Sequence, residues 1–302
     1  MECVKCDKKA IFLEPTFCKD HFIKYFEDKV LNTIKKYDLI DKDDKIVVAV
    51  SGGKDSLVLL YILNNNFENV EALCIDEGIQ GYRDKTIKIL KDFCSKHNVN
   101  LNIKKFQKEF GKPLDIILKE NKIKPCTVCG VFRRKLMNKY SKEYDVIATG
   151  HNRDDISQAI LMDLLKYNLS LLSRLSPVSG TKTRKGFTKK IKPLYFISEK
   201  EVMAYSIILG IRTGFEECPN VEDAYRLKVR DELNRYEIKH LGTKKNIVDW
   251  YIKNHIDIKE KIKNSELVLR SCNRCGEPTS REICNSCTME QKILSKDTLK
   301  VL

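Results

Sequence analysis

The chain has 302 residues, enough for one sizeable core with small appendages. Its 56 lysines and arginines outnumber 42 acidic residues, and the formal charge of +14 suits a polyanionic partner, nucleic acid first. No apolar run approaches the length of a membrane span and MECVKCDKK does not read as a signal peptide, so no membrane role is expected and a cytoplasmic location is.

Twelve cysteines in such a chain point to metal ligands rather than disulfides. Cys3, Cys6, Cys18 and His21 follow a C-x2-C, eleven residues, C-x2-H spacing. Three thiolates and an imidazole close a tetrahedral zinc shell with no open position, which describes a structural site. This gives an N-terminal zinc finger over residues 1–25. A helical pattern from Phe22 to Tyr37 then leads to the stretch Lys45 to Ser56, KIVVAV-SGGKDS.

The unbroken apolar run Ile46 to Val50 suits a strand buried on both faces. Ser51, Gly52 and Gly53 make a turn without bulky side chains, and Lys54, Asp55 and Ser56 open a helix. Paired glycines let backbone approach an anion, and a helix start offers free N–H groups and positive dipole. The spacing is not G-x-x-x-x-G-K-[ST], so this is not the common P-loop. It resembles instead the pyrophosphate loop of the N-type ATP pyrophosphatase superfamily, whose members cleave ATP between the α and β phosphates.

Strand and helix patterns then alternate. Strands are expected at Asn69 to Asp76, Leu101 to Phe106 and Asp145 to Gly150. Helices are expected at Tyr82 to His97, Pro113 to Glu120, Cys126 to Tyr140 and Asp154 to Lys166. Repeated βα units imply an α/β fold with a doubly wound, Rossmann-like parallel sheet, whose ligands bind beyond the carboxyl ends of the strands. SGGKDS, Asp76-Glu77 and His151 to Asp155 fall at those ends. Residues 176–192 interrupt the pattern as a basic loop carrying Lys182, Arg184, Lys185, Lys189, Lys190 and Lys192. It reads as a solvated loop or as a phosphate-backbone contact. Ser198 and Glu201 have capping-box spacing. Arg226, Arg230 and Arg235 lie on a charged helix in a helical extension over 221–265. Cys272, Cys275, Cys284 and Cys287, two C-x2-C pairs eight residues apart, predict a second zinc ribbon over 266–302. Residues 26–220 form the expected catalytic domain.

Cys126 and Cys129 make a third C-x2-C, with Cys218 as the remaining partner. Three thiolates admit zinc with a further ligand, a redox or persulfide pair, or a [4Fe–4S] cluster with one iron open. Arg133, Arg134 and Lys135 nearby would favour thiolates. Cys74 and Cys94 fit packed core thiols.

Taken in order, SGGKDS, DEGIQGYR, PCTVCGVFRR, GHNRDD, ECP and the terminal zinc modules resemble the cytosolic tRNA 2-thiolation family of archaea and eukaryotes over nearly the whole chain. PCTVCGVFRR and GIQGYRD look closer to the branch acting on wobble uridine 34 than to that acting on uridine 54; cytidine 32 is a further alternative. The resemblance implies adenylation of uridine C2 oxygen with ATP and Mg2+, then sulfur transfer. It implies Cys126, Cys129 and Cys218 as [4Fe–4S] ligands, with a cysteine persulfide as the other route. Ser51 to Ser56, Asp76, Gly150 and His151 would meet the nucleotide, and Asp154 or Asp155, Asp155 preferred, would move a proton or hold metal. Two Zn2+ would sit in the terminal modules. Arg133, Arg134, Lys182, Arg184, Lys185, Lys189 and Lys190 would contact tRNA. A ubiquitin-like thiocarboxylate protein or free sulfide would donate sulfur, and a homodimer is expected. An amidating ligase is disfavoured because no glutaminase domain is recognisable, and a non-catalytic RNA-binding subunit because SGGKDS is intact.

Overall fold

The computed structural model describes residues 1–179, 188–214, 217–221, 224–263 and 270–294. Lys182, Arg184 and Lys185 lie outside the described residues. Two consecutive βα steps and a third strand build the centre: β1 (Ile46–Val50) and α2 (Lys54–Asn66), β2 (Val70–Asp76) and α3 (Arg83–Lys96), then β3 (Asn100–Lys105). Helix α1 (Lys19–Lys36) precedes them. Next come α4 (Pro125–Tyr140), β4 (Val146–Thr149) and α5 (Arg153–Leu165). The short strands β5 (Val178–Ser179) and β6 (Lys189–Ile191) follow, then helices α6 (Glu199–Ile208), α7 (Tyr225–Lys239), α8 (Thr243–Lys263) and α9 (Asn285–Leu294).

The sheet runs β3-β2-β1-β4-β6-β5, parallel throughout except for β5. Ile46 is level with both Val70 and Val146, so the carboxyl ends of β1, β2 and β4 finish along one edge. The chain winds outward from β1 through β2 and β3, then returns to β1's other side with β4. That reversal puts the topological switch point between the β1 and β4 turns, the crevice position where such sheets bind ligands.

Strand pleat explains the layers. Ile46, Val48 and Val50, with Ala72, Cys74, Val146 and Ala148, face one core shared with α1, α2 and α6. Val47, Leu73, Ile75 and Ile147 face the other, beside Phe106, Phe132 and Leu136. Alternate residues therefore enter opposite layers and both are apolar. Helix α2 is buried along Leu57 to Leu60, as expected of a helix apolar on most sides. A third cluster joins Ile156 and Ile160 of α5 to Tyr195, Val248 and Tyr251. Cys74 and Cys94 are buried core thiols whose burial pushes each up to about 11.

Both terminal modules pack against this core, the N-terminal one more deeply. Phe12, Phe17 and Phe22 join the first layer, and α1 runs unbroken across residue 25. Ile293 of α9 joins the second, against α4. One expectation is corrected: within the segment read as a basic loop, Lys189–Ile191 is a strand parallel to β4. Its apolar signal is one fully buried residue, Ile191, too short a pattern to stand out among lysines. No helix among the described residues is long and apolar enough to cross a membrane.

Candidate active site and metal-ligand clusters

The turn after β1 is held from inside and from behind. Ser51 N–H donates to Ser56 Oγ at 3.2 Å, and Gly53 N–H to Ser51 Oγ at 3.3 Å. Gly52 has φ +86°, and a Cβ there would lie 2.7 Å from the Thr86 carbonyl oxygen. The glycine is thus required twice, by backbone sign and by the approach of α3. Arg83 Nη1 donates to Ser51 O at 2.9 Å.

The turn after β4 presses against it. A Cβ on Gly150 would sit 2.9 Å from the Asp55 carbonyl carbon and 3.0 Å from Ser56 N. Asn152 donates Nδ2 to Asp55 Oδ1 at 2.8 Å while its own side chain caps α5, receiving Asp155 N–H at 3.0 Å. Asp155 completes the capping box by accepting Asn152 N–H at 3.2 Å. Lys54 Nζ lies 2.7 Å from Glu199 and 3.2 Å from Asp55. Burial pushes the Asp55 and Asp155 carboxyls up; Lys54 pulls the former back and Arg226 the latter. Desolvation by the surrounding protein, reinforced by Lys192 and Arg226, pushes His151 down to about 4 even though the residue keeps an exposed edge, and its Nδ1 meets Thr149 Oγ1 at 2.9 Å. The crevice therefore offers the first-turn N–H groups of α2, a lysine and a neutral imidazole, a surface fitted to a nucleoside phosphate.

The paired acids have different surroundings. Asp154 is buried, accepts Glu199 N–H at 2.9 Å and forms an ion pair with Lys244. Asp155 faces the crevice, with Arg226 Nη2 at 3.4 Å from Oδ1 and Arg226 Nε donating to Gln158 at 3.0 Å. Asp76 receives Gly78 N–H at 2.9 Å, a turn contact. Sequence reasoning passed over Asn152, whose N-x-x-D spacing is a readable cap signal. It also passed over Glu199 and Lys244, which no local pattern marks, and placed Arg226 only on a basic surface.

Cys126 and Cys129 lie in the first turns of α4, opened by Pro125. Cys126 donates to Asn220 O at 3.6 Å, which brings the Cys218 segment alongside, and Cys129 and Cys218 flank the same apolar layer. Arg133 Nη2 donates to Cys129 Sγ at 3.1 Å and pairs with Glu77 at 2.7 Å. Burial outweighs that cation and pushes Cys129 up to about 11. Lys135 turns away to Glu290. Lys189 and Lys190 reach Asp38 O and Asn138, respectively.

Among the described residues two groups converge as a single ion requires: Cys3, Cys6, Cys18, His21 and Cys272, Cys275, Cys284, Cys287, each set within 4.8 Å. Cys6 and Cys18 sulfurs stand 3.7 Å apart, as do those of Cys275 and Cys284. A tetrahedron with Zn–S near 2.3 Å has edges of about 3.8 Å. His21 Nδ1 lies 3.3 Å from Cys3 and Cys18 and 3.4 Å from Cys6. Backbone N–H groups of Lys5, Cys284 and Cys287 point at ligand sulfurs, the support that thiolate sites carry. Cys126, Cys129 and Cys218 do not close into such a group.

Residues 22–237 match the PP-loop domain family. A tRNA-5-methyluridine(54) 2-sulfurtransferase of Pyrococcus horikoshii is 37% identical over 293 residues, covering 95% of this chain and 93% of that protein. The cytoplasmic tRNA 2-thiolation protein 1 of Danio rerio is 30% identical, covering 96% and 87%. Among solved structures, the U34-tRNA thiolase NcsA of Methanococcus maripaludis, with its [4Fe-4S] cluster, superposes with a TM-score of 0.80 at 32% identity, covering 97% and 96%. The resemblance read from the motifs is thereby established, and the chain belongs to the PP-loop family of tRNA 2-thiolation proteins.

Proposed function

We propose that this chain is an ATP-dependent tRNA 2-thiolase acting on wobble uridine 34 through the β1–β4 crevice and the Cys126, Cys129, Cys218 trio. One observation carries the reading: the glycine turn is linked through Arg83, Glu77 and Arg133 to Cys129, one of three unbridged thiols. Relatives bear both the 54 and the 34 names, and the choice of 34 rests on PCTVCGVFRR and GIQGYRD.

Uridine O2 is a poor leaving group, so it first attacks the α-phosphorus of ATP and pyrophosphate departs. The backbone N–H groups of Gly52 and of Lys54 to Ser56 in the Ser51–Ser56 loop, with the Lys54 ammonium, receive the leaving phosphates, while Gly150 and His151 flank the nucleotide. Asp155, raised by burial and steadied by Arg226, is the proton-transfer or Mg2+-holding carboxylate; Asp154 is a support for α6 and α8. Sulfur then adds at C2, the C2–O bond breaks, and AMP leaves. The three soft donors, too spread for one ion, suit a [4Fe–4S] cluster, which when bound would supply an open iron for sulfide. Cys126 is exposed to an incoming donor, either sulfide or a thiocarboxylate protein. The terminal clusters take zinc, Arg134 and the basic 182–190 segment meet the anticodon arm, and the enzyme acts as a homodimer in the cytoplasm.

The test is reaction of anaerobically purified protein with ATP, sulfide and unmodified tRNA, followed by mass mapping of nuclease fragments. Thiouridine in the anticodon-loop fragment is expected. Label in the T-loop fragment would refute position 34, and none in any fragment would refute thiolation.

A further inference from the structure

Glu77 is 1% exposed and carries a carboxylate between two guanidiniums. Its Oε2 lies 2.5 Å from Arg83 Nε and its Oε1 2.7 Å from Arg133 Nη2. Each arginine has a second task. Arg83, itself buried, donates to Ser51 O at 2.9 Å and to the Ile75 carbonyl. Arg133 donates to Cys129 Sγ at 3.1 Å. The glycine turn and the cysteine helix are thus connected as Ser51, Arg83, Glu77, Arg133, Cys129, by a hydrogen bond at each end and, at Glu77, by two ion pairs whose angles do not make hydrogen bonds. A buried carboxylate is costly without opposite charge beside it, and here each oxygen lies within ion-pair distance of a guanidinium. Glu77's own carbonyl accepts Leu114 N–H at 2.7 Å, which fixes its backbone as well.

We propose that Glu77 is a positioning residue that sets Arg133 against Cys129, and that the Arg133 N–H···S bond stabilises the metal-bound state of that sulfur and raises the potential of the group it holds. The inference rests on the cluster reading above and adds to it the residues that tune it. A hydrogen bond to a ligand sulfur withdraws charge and favours the reduced form, so it is one of the protein's levers on cluster potential. Arg133 was expected at the tRNA; its engagement by Glu77 and Cys129 gives it this inward task instead. Because Glu77 holds Arg83 with its other oxygen, the same carboxylate also steadies the turn that receives phosphate.

The test uses full-length protein reconstituted anaerobically with iron and sulfide, reading iron retained against a chelator and the midpoint potential of the reconstituted group. Arg133→Met, at a half-exposed side chain, should lose iron about 10- to 100-fold faster and shift the potential to more negative values. Arg133→Lys should recover part of both. Arg134→Met, removing an equal charge from the next residue, should leave iron retention near wild type, separating the hydrogen bond from net charge. Glu77→Gln should shift iron retention in the same direction as Arg133→Met and weaken ATP binding as well. Wild-type protein that takes up no iron overturns the cluster reading. Wild-type uptake with Arg133→Met unchanged in both readouts overturns this proposal alone, whether or not Glu77→Gln folds.

Discussion

Asn152 holds Asp55 at 2.8 Å and caps α5 with the same side chain, so the turn after β4 and the loop after β1 share one residue. Asn152→Ala removes both contacts. Loss of the cap costs about 0.5–2 kcal/mol of stability, read by chemical denaturation. Asn152→Asp retains a good cap but faces Asp55 with a like charge. It should therefore weaken ATP binding by calorimetry more than Asn152→Ala does, while losing less stability. The opposite ranking in ATP affinity would show that the tether does not shape the loop.

Gly150 allows the two turns to approach, because a Cβ there would meet backbone of Asp55 and Ser56 at 2.9 and 3.0 Å. Neither neighbour is a flexible side chain, so the loop itself must shift. Gly150→Ala should cost about 1–3 kcal/mol and reduce ATP affinity. Gly52→Ala adds the strain of φ +86° to a 2.7 Å approach to Thr86 O and should be worse in both measures. Gly81→Ala has no neighbour within 4 Å and serves as the control for a glycine at positive φ.

Asp154 and Asp155 are adjacent, yet they predict opposite phenotypes. Asp154→Ala leaves buried Lys244 without its carboxylate and removes the acceptor for Glu199 N–H, a loss of about 3–5 kcal/mol. Asp155→Asn keeps an oxygen for Asn152 N–H and should leave stability within about 1 kcal/mol, while thiolation falls at least about 100-fold. Denaturation curves and initial rates on the same preparations distinguish a supporting acid from a reacting one.

Much of this site can be read along the chain because its signals are local. KIVVAV and SGGKDS state a strand, a turn and a helix start within a dozen residues, and the terminal groups able to hold a metal ion lie in short pairs. What escaped is tertiary. Successive residues on a helix point about 100° apart, so Asp154 and Asp155 meet different neighbours that only packing reveals. Lys244 approaches Asp154 from 90 residues away and Arg226 approaches Asp155 from 71. Glu77 reads as one more acid at a strand end until Arg83 and Arg133 close on it. The strand Lys189–Ile191 was hidden because one isoleucine anchors it.

His151 should remain neutral through the physiological range. Desolvation together with Lys192 and Arg226 pushes its imidazole down to about 4, whereas the unfolded chain protonates near pH 6.5. Between those values the unfolded state binds the extra proton, so His151's contribution to stability is whole above about pH 6.5 and drains away as pH falls toward 4. Asp55 and Asp155, raised by burial, act with the opposite sign. His151→Gln should therefore flatten the acid-side loss of stability, measured by denaturation at about pH 5 and pH 7.5. In the wild type, the His151 ring resonances should show no titration between about pH 5 and pH 8. A midpoint near the ordinary histidine value would refute the neutral-imidazole assignment.

The two terminal clusters should differ in what their metal holds together. Zinc-finger peptides gain about 10–16 kcal/mol on binding metal, as much as the whole stability of an ordinary domain. The N-terminal ligands hold a segment whose Phe12 and Phe17 sit in the main core beside Phe22. Cys6→Ala should therefore lower the melting temperature of the entire chain and cut soluble yield. The C-terminal ligands hold α9, which meets α4 through Ile293 and the Lys135–Glu290 pair, with Lys142–Glu277 beside it. Cys275→Ala should release that end while the sheet remains folded, with amide exchange quickening in α9 and along the outer face of α4 before β1 changes. Metal analysis should find one zinc per chain in each variant and two in the wild type. Equal, global destabilisation by both substitutions would show that the C-terminal ribbon is as integral to the core as the N-terminal one.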